Sequence, residues 1–575
     1  MFKNFLLSPP NCDFWEIFNA KDGSISAKQN GMLLHSAYSP EKEARQLVLK
    51  SNFDSCKAGV FYGIGLGYGP IEYAKEFTER TLIIIEPDEK YFFASLSFLD
   101  WEKVFSLKSC VLAISAPCQT VISLIERIGF SYCAFFSNDV QTSHAKEYFS
   151  SIKTLSQRNI SKDKINEATS KKFSKLWVRN SCKNLFKYSQ CDGVSIYKDN
   201  AKNLPVTILA SGPSLQNILP YLSEIKKRSI VVCVDSALRA CLKIGIEPDF
   251  IIIGDPQYYA YLHIADCTSK TSTLIAEPAV YPSVYRFPCK KIVITSSLFP
   301  MGAWFEKKFG ERGNLGAGGS VSANAWNFAY FIGSREIYFA GLDLAYPKNN
   351  THIKGATFEN VELAKSTRCN TVESKNILQY ISAGKEYGTD YDGKEVLTDS
   401  RMKLFAWYFE SRIASLPDSN TFSFSSKSLA IPGLSVKDVH SFLEKNIIED
   451  AKKDFFKKSE SVSNKIPTET LETLYNQFKT ELNNLLENAK TGILLCDDAL
   501  KKQSVPPSTF EKLSKIDNAI LSSSSKESAA LVFPTKETLL KNVPTSSDSI
   551  KASLLQSRFI YSRLYESVEI YLRYL

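Results

Sequence analysis

Short apolar runs alternate with polar, helix-length stretches between positions 205 and 341, and the rest of the chain is organised around them. The first, Pro205-Val206-Thr207-Ile208-Leu209, gives way to Ala210-Ser211-Gly212-Pro213-Ser214-Leu215. The second, Ile230–Val234, ends in Asp235-Ser236, and the third, Phe250–Ile253, ends in Gly254-Asp255. Further runs lie at 273–276, 291–295 and 337–341. Near-continuous Val/Ile runs separated by helical segments predict a parallel sheet covered on both faces, hence an α/β fold. Ligands of such sheets sit beyond the carboxyl ends of the strands. Ser211, Gly212, Ser214, Asp235, Ser236 and Asp255 fall there, all small or polar.

The flanks read differently. At 60–62 an apolar run leads into a glycine-rich turn at 63–69, a helix, and the run Leu82-Ile83-Ile84-Ile85-Glu86. That is a Rossmann-like α/β unit. Its turn and Glu86 also fit a dinucleotide or methyl-donor site, although Pro70 interrupts the usual helix start. Residues 150–188 predict a linking helix, and 355–400 predict a loop-rich insertion or lid over the site. Beyond 436, Leu471, Leu474, Phe478, Leu482, Leu485, Ala489 and Ile493 recur at helical spacing. Tyr561, Leu564, Val568, Tyr571 and Leu575 make a last helical stripe, giving a bundle that serves either packing or docking. The domains expected are 1–170 (Rossmann-like), 171–430 (central, nucleotide-sugar-binding) and 431–575 (helical).

Composition narrows the function. At 575 residues, with 44% hydrophobic and 23% charged positions, the chain is an ordinary globular protein of more than one domain. A net charge of +9, spread among interleaved acids, gives no basic run and so no expectation of nucleic acid. Thirteen cysteines without a Cys-x-x-Cys pair read as buried thiols in a reducing compartment, with no metal site expected. Residues 1–10 lack a signal-peptide core, and no apolar run approaches the ~20 residues of a membrane helix. A soluble, cytoplasmic protein is expected.

Candidate chemistry follows from the strand ends. Gly212 lets backbone approach a ligand, Pro213 suits a first helical turn, and free N–H groups there would favour an anion. Ser320 or Ser322, after Gly316-Ala317-Gly318-Gly319, is an N-cap candidate or a phosphate donor. The last central run is followed by Asp343, Tyr346 and, in a polar loop, His352. A histidine beyond a carboxyl-end strand suits removal of a hydroxyl proton near neutral pH. His35, His144, His263 and His440 stand in no such context. Tyr258, Tyr259 and Tyr261 serve either packing or stacking on a base or sugar.

Taken in one register, several motifs resemble the central domain of the Maf (motility accessory factor) proteins over about 176–416. They are Ser211-Gly212-Pro213-Ser214-Leu215, Val232-Cys233-Val234-Asp235-Ser236, Pro248-Asp249-Phe250, Gly254-Asp255, Gly318-Gly319-Ser320-Val321, and Gly341-Leu342-Asp343-Leu344-Ala345-Tyr346 with His352. One position departs: Ala210 stands where the family has the first glycine of Gly-x-Gly-Pro-Ser. The resemblance implies a bacterial flagellin glycosyltransferase that moves a nonulosonic, sialic-acid-like sugar onto Ser or Thr of flagellin. It is similar in turn to sialyltransferases of glycosyltransferase family forty-two, which use CMP-activated donors without a metal. By that likeness no cofactor is needed beyond the CMP-sugar donor. Ser211, Gly212, Pro213, Ser214, Asp235 and Ser236 would hold the nucleotide, while Gly319, Ser320 and Ser322 face its phosphate. Asp255, Asp343 and Tyr346 would position substrate, and His352 would be the general base. The flagellin acceptor is the expected partner, with no membrane partner and a homo-oligomer left open. Two alternatives stand beside this: a Mg²⁺-dependent pyrophosphokinase like the pterin enzymes of the MptE type, with Asp235, Asp255 and Asp343 as oxygen ligands, and a non-catalytic flagellin-binding chaperone. A methyltransferase reading rests on the 63–69 turn alone.

Overall fold

The computed structural model describes residues 12–50, 56–502, 504–531 and 549–575. The amino-terminal stretch read above for a signal peptide lies outside them. The chain divides into two compact units, Met1–Ala168 and Thr169–Leu575.

In the first unit β1 (Glu16–Asn19), β2 (Ile25–Gln29) and β3 (Met32–Leu33) form a small antiparallel sheet. A parallel sheet follows in the order β6-β5-β4-β7, from β4 (Ala58–Tyr62), β5 (Thr81–Glu86), β6 (Cys110–Ile114) and β7 (Cys133–Ser137). Alternation along β4 and β5 sends Phe61, Leu82 and Ile84 to one face and Val60, Ile83 and Ile85 to the other. Each face has its own buried cluster, so the sheet is covered on both sides.

The second unit is built on nine parallel strands. They are β8 (Asp192–Gly193), β9 (Val206–Leu209), β10 (Ile230–Val234), β11 (Phe250–Ile253), β12 (Ser269–Ala276), β13 (Cys289–Ile294), β14 (Glu336–Ala340), β17 (Asn420–Ser423) and β18 (Leu434–Val436). The α/β class and the six central runs read from the sequence are therefore borne out. Their order is β18-β17-β14-β9-β10-β11-β12-β13-β8. Val206 pairs with Ile230 on one side and Ile337 on the other, which places β9 inside the sheet between β10 and β14. The chain winds outward from β9 to β13, then crosses back to lay β14 against β9. The topological switch point is thus the crevice between β9 and β14. The three outer strands β8, β17 and β18 carry too few apolar positions to announce themselves; Asn420-Thr421-Phe422-Ser423 reads as polar.

The insertion at 355–400 is more ordered than the glycine-marked loops expected. It contains the Thr357–Ala364 and Val372–Ser382 helices, then a hairpin of β15 (Lys385–Thr389) and β16 (Glu395–Asp399). Thr371 caps the second helix by accepting from the Ser374 N–H at 3.3 Å. The Thr468–Leu500 and Ser549–Tyr574 helices pack together, as their stripes require. Leu471, Phe478, Leu482, Leu485 and Ala489 join the same buried cluster as the central strands. Sheet and helices share one core, and the sheet itself runs past position 430 to Val436. Among the described residues, no helix is long and apolar enough to cross a membrane.

Candidate functional site

Because all nine strands run one way, their carboxyl ends share a rim. At the switch point, Ala210 N–H donates to Ala340 O at 2.8 Å and Gly212 N–H to Gly341 O at 2.9 Å. A Cβ on Gly212 would lie 2.4 Å from Gly341 O, and one on Gly341, at φ +83°, would lie 2.3 Å from Ala210 O. These glycines let two strand ends cross each other. At Gly212 the close approach is to the chain's own Gly341 and Asp343.

The turn after β9, expected to favour an anion, meets a carboxylate of the chain itself. Pro213–Asn217 is a single 3₁₀ turn, with Pro213 in its first position as expected. The Ser214 N–H donates to Asp343 Oδ2 at 2.8 Å, and the Ser214 hydroxyl bonds to Asp343 Oδ1. Ser428 Oγ also donates to Asp343 Oδ1, at 2.8 Å. The chain's own carboxylate fills the place a phosphate would take. Burial raises the Asp343 carboxyl above its ordinary range against these bonds. Asp343 is therefore a plug in the crevice, and it is not free to join Asp235 and Asp255 as a third metal-ligating carboxylate. Tyr346 is likewise structural: it is buried, its hydroxyl donates to Asp399 Oδ2 at 2.5 Å, and its ring lies 4.5 Å from that of Tyr380.

The rim continues over β10 and β11. Asp235 is 4% exposed and accepts from the Ser236 N–H at 2.8 Å. Burial, helped by the charge of neighbouring Asp255, pushes its carboxyl up to about 7. Asp255 is half-buried and held by Gln257, whose N–H and Nε2 donate at 2.8 and 3.2 Å. The Val321–Phe331 helix starts beside them. Its Asn324 Nδ2 lies 3.1 Å from where a Gly254 Cβ would be. Ser320 is the N-cap, its Oγ accepting from the Ala323 N–H at 3.2 Å, which leaves its own O–H free to donate. Gly319 precedes it at φ +73°, and Ser322 is half-buried in the first turn. At the end of β12, burial pushes Glu277 up to about 7. Glu277 lines a small cavity of about 10 Å³ together with Ser296 and Asn324.

His352 reaches the same rim from the loop after β14. The Ile353 N–H donates to Ser211 O at 2.8 Å, tying that loop to the tip of β9. The His352 ring packs 5.7 Å from Phe358, and His263 packs against the same ring at 4.8 Å. Burial, with the Arg401 charge, lowers His352 to about 4, and burial with His352 and Arg239 lowers His263 to about 4. Both imidazoles are neutral at pH 7, so His352 is a weaker base than its ordinary value near 6.5 implied. Arg239 Nε donates to Thr357 Oγ1 at 3.0 Å, fixing a cation beside this pair. The structure thus sets Asp235 beside Asp255 with the Val321–Phe331 helix start near them, ties the His352 loop to the tip of β9, and engages Gly212, Ser214, Asp343 and Tyr346 in contacts within the chain. Sequence reasoning missed His263, Arg239, Asn324 and Glu277. Nothing in their local context marks them, since each is recruited from a separate element. Tyr258 and Tyr259, 50% and 58% exposed, follow β11, and the Tyr258 ring packs edge-on to Tyr281 at 5.3 Å.

In the first unit the glycine-rich turn approaches the chain's own side chains. A Cβ on Gly65 would lie 2.5 Å from His35 Nε2, and one on Gly67 would lie 2.3 Å from Trp101. His35 accepts from the Leu66 N–H at 2.9 Å. Glu86, offered as a ribose ligand, is buried and lies 2.6 Å from His144 Nε2. These distances fit the structural reading of that unit.

Comparison with known proteins agrees with the architecture. Residues 3–108 match the family described as glycosyltransferase Maf N-terminal domain, and residues 179–349 match 6-hydroxymethylpterin diphosphokinase MptE-like. An uncharacterized protein of Treponema pallidum (strain Nichols) is 28% identical over 219 residues, 33% of this chain and 56% of that protein. A second from the same organism is 27% identical over 216 residues, 36% of this chain and 73% of that protein. The chain thus spans little more than half the length of the first of these relatives. The solved structure of the MAf glycosyltransferase from Magnetospirillum magneticum AMB-1 has the same fold, with a TM-score of 0.58 at 15% identity, covering 100% of this chain and 93% of that one. The resemblance to the Maf family, with an MptE-like central region, is borne out.

Proposed function

We propose that this chain, Maf-like in its amino-terminal region and MptE-like in its centre, is a glycosyltransferase that moves a nonulosonic sugar from CMP onto Ser or Thr hydroxyls of flagellin. The observation that carries this reading is that Asp235, Asp255, the Ser320-capped helix start and the His352 loop all lie at the carboxyl ends of neighbouring strands. The eleven-residue Val321–Phe331 helix directs its free N–H groups and positive dipole end at the rim, a place that favours a phosphate. The Ser320 and Ser322 hydroxyls add donors aimed at the charge that develops as CMP departs. Asp235 and Asp255, with Ser236, are placed to accept from ribose hydroxyls. His352, already neutral at pH 7, takes the acceptor's proton, and an anionic donor bound nearby raises its basicity. Ser211 holds the histidine loop through its carbonyl, while Gly212, Pro213, Ser214, Asp343 and Tyr346 keep the rim in shape.

Calorimetry with CMP tests the donor half. Saturable heat is expected for the wild type and none for Asp235→Ala; equal heats in both would refute it. The acceptor half is read from flagellin mass in a His352→Ala strain, where loss of the glycan is expected and full occupancy would remove His352 from the reaction. The MptE-like match and the paired Asp235 and Asp255 favour pyrophosphoryl transfer as a second reading. ATP displacing CMP in a Mg²⁺-dependent manner would select it. Tight flagellin binding without any nucleotide binding would instead select the chaperone.

A further inference from the structure

We propose that a groove beside the Val321–Phe331 helix, distinct from the strand-tip rim, binds a sugar ring bearing a carboxylate. The groove holds about 500 Å³, within the roughly 300–1,000 Å³ usual for small-molecule sites. Lys198, Asn314, Asn327, Tyr330, Tyr408 and Arg412 line it.

Arg412 is the centre of the argument. Its guanidinium lies 5.9 Å from the Trp326 ring, and its Nε is buried with no hydrogen-bond partner. Among the described residues it forms no ion pair; Asp418 is held by Arg335 at 2.7 Å and by the Tyr330 hydroxyl at 3.3 Å. The side chain is half-buried and permanently charged, and a ligand carboxylate in the groove pairs with the outer nitrogens of its guanidinium. Around this cation the lining residues are bonded to one another. The Tyr408 hydroxyl and the Asn327 amide bond each other at 2.7 and 3.1 Å, and Tyr330 carries the Arg335 guanidinium on its ring at 3.9 Å. Asn314 spends its carbonyl on the Gly316 N–H at 2.7 Å, leaving its NH₂ to meet a hydroxyl. One carboxylate, Asp199, also faces the groove, and the exposed Lys198 beside it offsets that charge. A half-buried cation, the Tyr408 side chain and an amide donor together suit a polyhydroxylated acid better than a bare anion. Leu315 and Gly316 line both this groove and the pocket at the strand ends, so its occupant sits one loop from the rim.

The choice of a sugar among carboxylates rests on the glycosyl-transfer reading; the site itself does not. Saturation-transfer NMR of the full chain with N-acetylneuraminic acid as probe tests it. Saturable transfer to the ring protons is expected, unchanged by excess CMP or by Asp235→Ala. Binding weakens roughly tenfold in Arg412→Met and about two- to fivefold in Lys198→Met, an exposed position that leaves folding intact. N-acetylmannosamine, which lacks the carboxylate, does not bind. No saturable binding, displacement by CMP, loss in Asp235→Ala, or unchanged binding in both Arg412→Met and Lys198→Met would each overturn the proposal. Sugar binding without CMP binding would refute the donor rim and leave the groove standing; CMP binding without sugar binding would do the reverse.

Discussion

Asp235 owes its altered acidity to its place at the end of β10, where 4% exposure and the nearby Asp255 disfavour its charge. Its folded pKa of about 7 lies above the ordinary 3.8, so the folded chain holds this proton more tightly than the unfolded one. Between those values stability falls as pH rises, and above pH 7 the whole penalty is present. Asp235→Asn keeps the acceptor for the Ser236 N–H and removes the charge. In urea titrations it should be nearly neutral at pH 4 and stabilising at pH 8, by at most about 4 kcal/mol, and it should no longer bind the nucleotide. A destabilised Asn variant at pH 8 would mean that the carboxylate is paired in solution. Gly341 makes a purely steric demand, since φ is +83° and a side chain would strike Ala210 O. Gly341→Ala should cost about 3 kcal/mol or more, read as a lowered Tm.

At the scale of elements, the start of the Val321–Phe331 helix has two duties that substitution can separate. Ser320→Ala removes both the cap and a hydroxyl donor; about 1 kcal/mol of stability and several-fold of CMP affinity should go together. Ser320→Asp restores the acceptor for the Ala323 N–H but sets a negative charge against the phosphate. Stability should return in thermal melts while CMP binding disappears. If CMP binds Ser320→Asp as it binds the wild type, the phosphate does not sit at this helix. The element most easily misread is the 3₁₀ turn after β9. By sequence it looked like the anion site, yet its donor is satisfied by Asp343, a residue 129 positions away.

Across the whole second unit, the sheet and the carboxyl-terminal helices share one buried cluster that includes Phe250, Leu471, Phe478 and Tyr571. Deleting residues 437–575 uncovers that face, so the shortened chain should lack a cooperative unfolding transition in calorimetry and precipitate when concentrated. A sharp transition in such a truncation would show two cores where there is one. What the sequence settled was everything written locally: six buried strands, their parallel sense, the amphipathic stripes at 471–493 and 561–575, and the polar tips at Asp235, Asp255 and Ser320. Burial on both faces leaves a continuous apolar run, and a helix face leaves its period, whatever lies elsewhere in the chain. Tertiary structure alone decided which partners meet at those tips. Asp343 closes the β9–β14 crevice, Phe358 draws His263 beside His352, and Arg412 lies over Trp326 with its Nε unpartnered. Each depends on distant residues meeting whose own neighbourhoods carry no trace of it, because a side chain's partner is fixed by packing in space and not by its place in the chain.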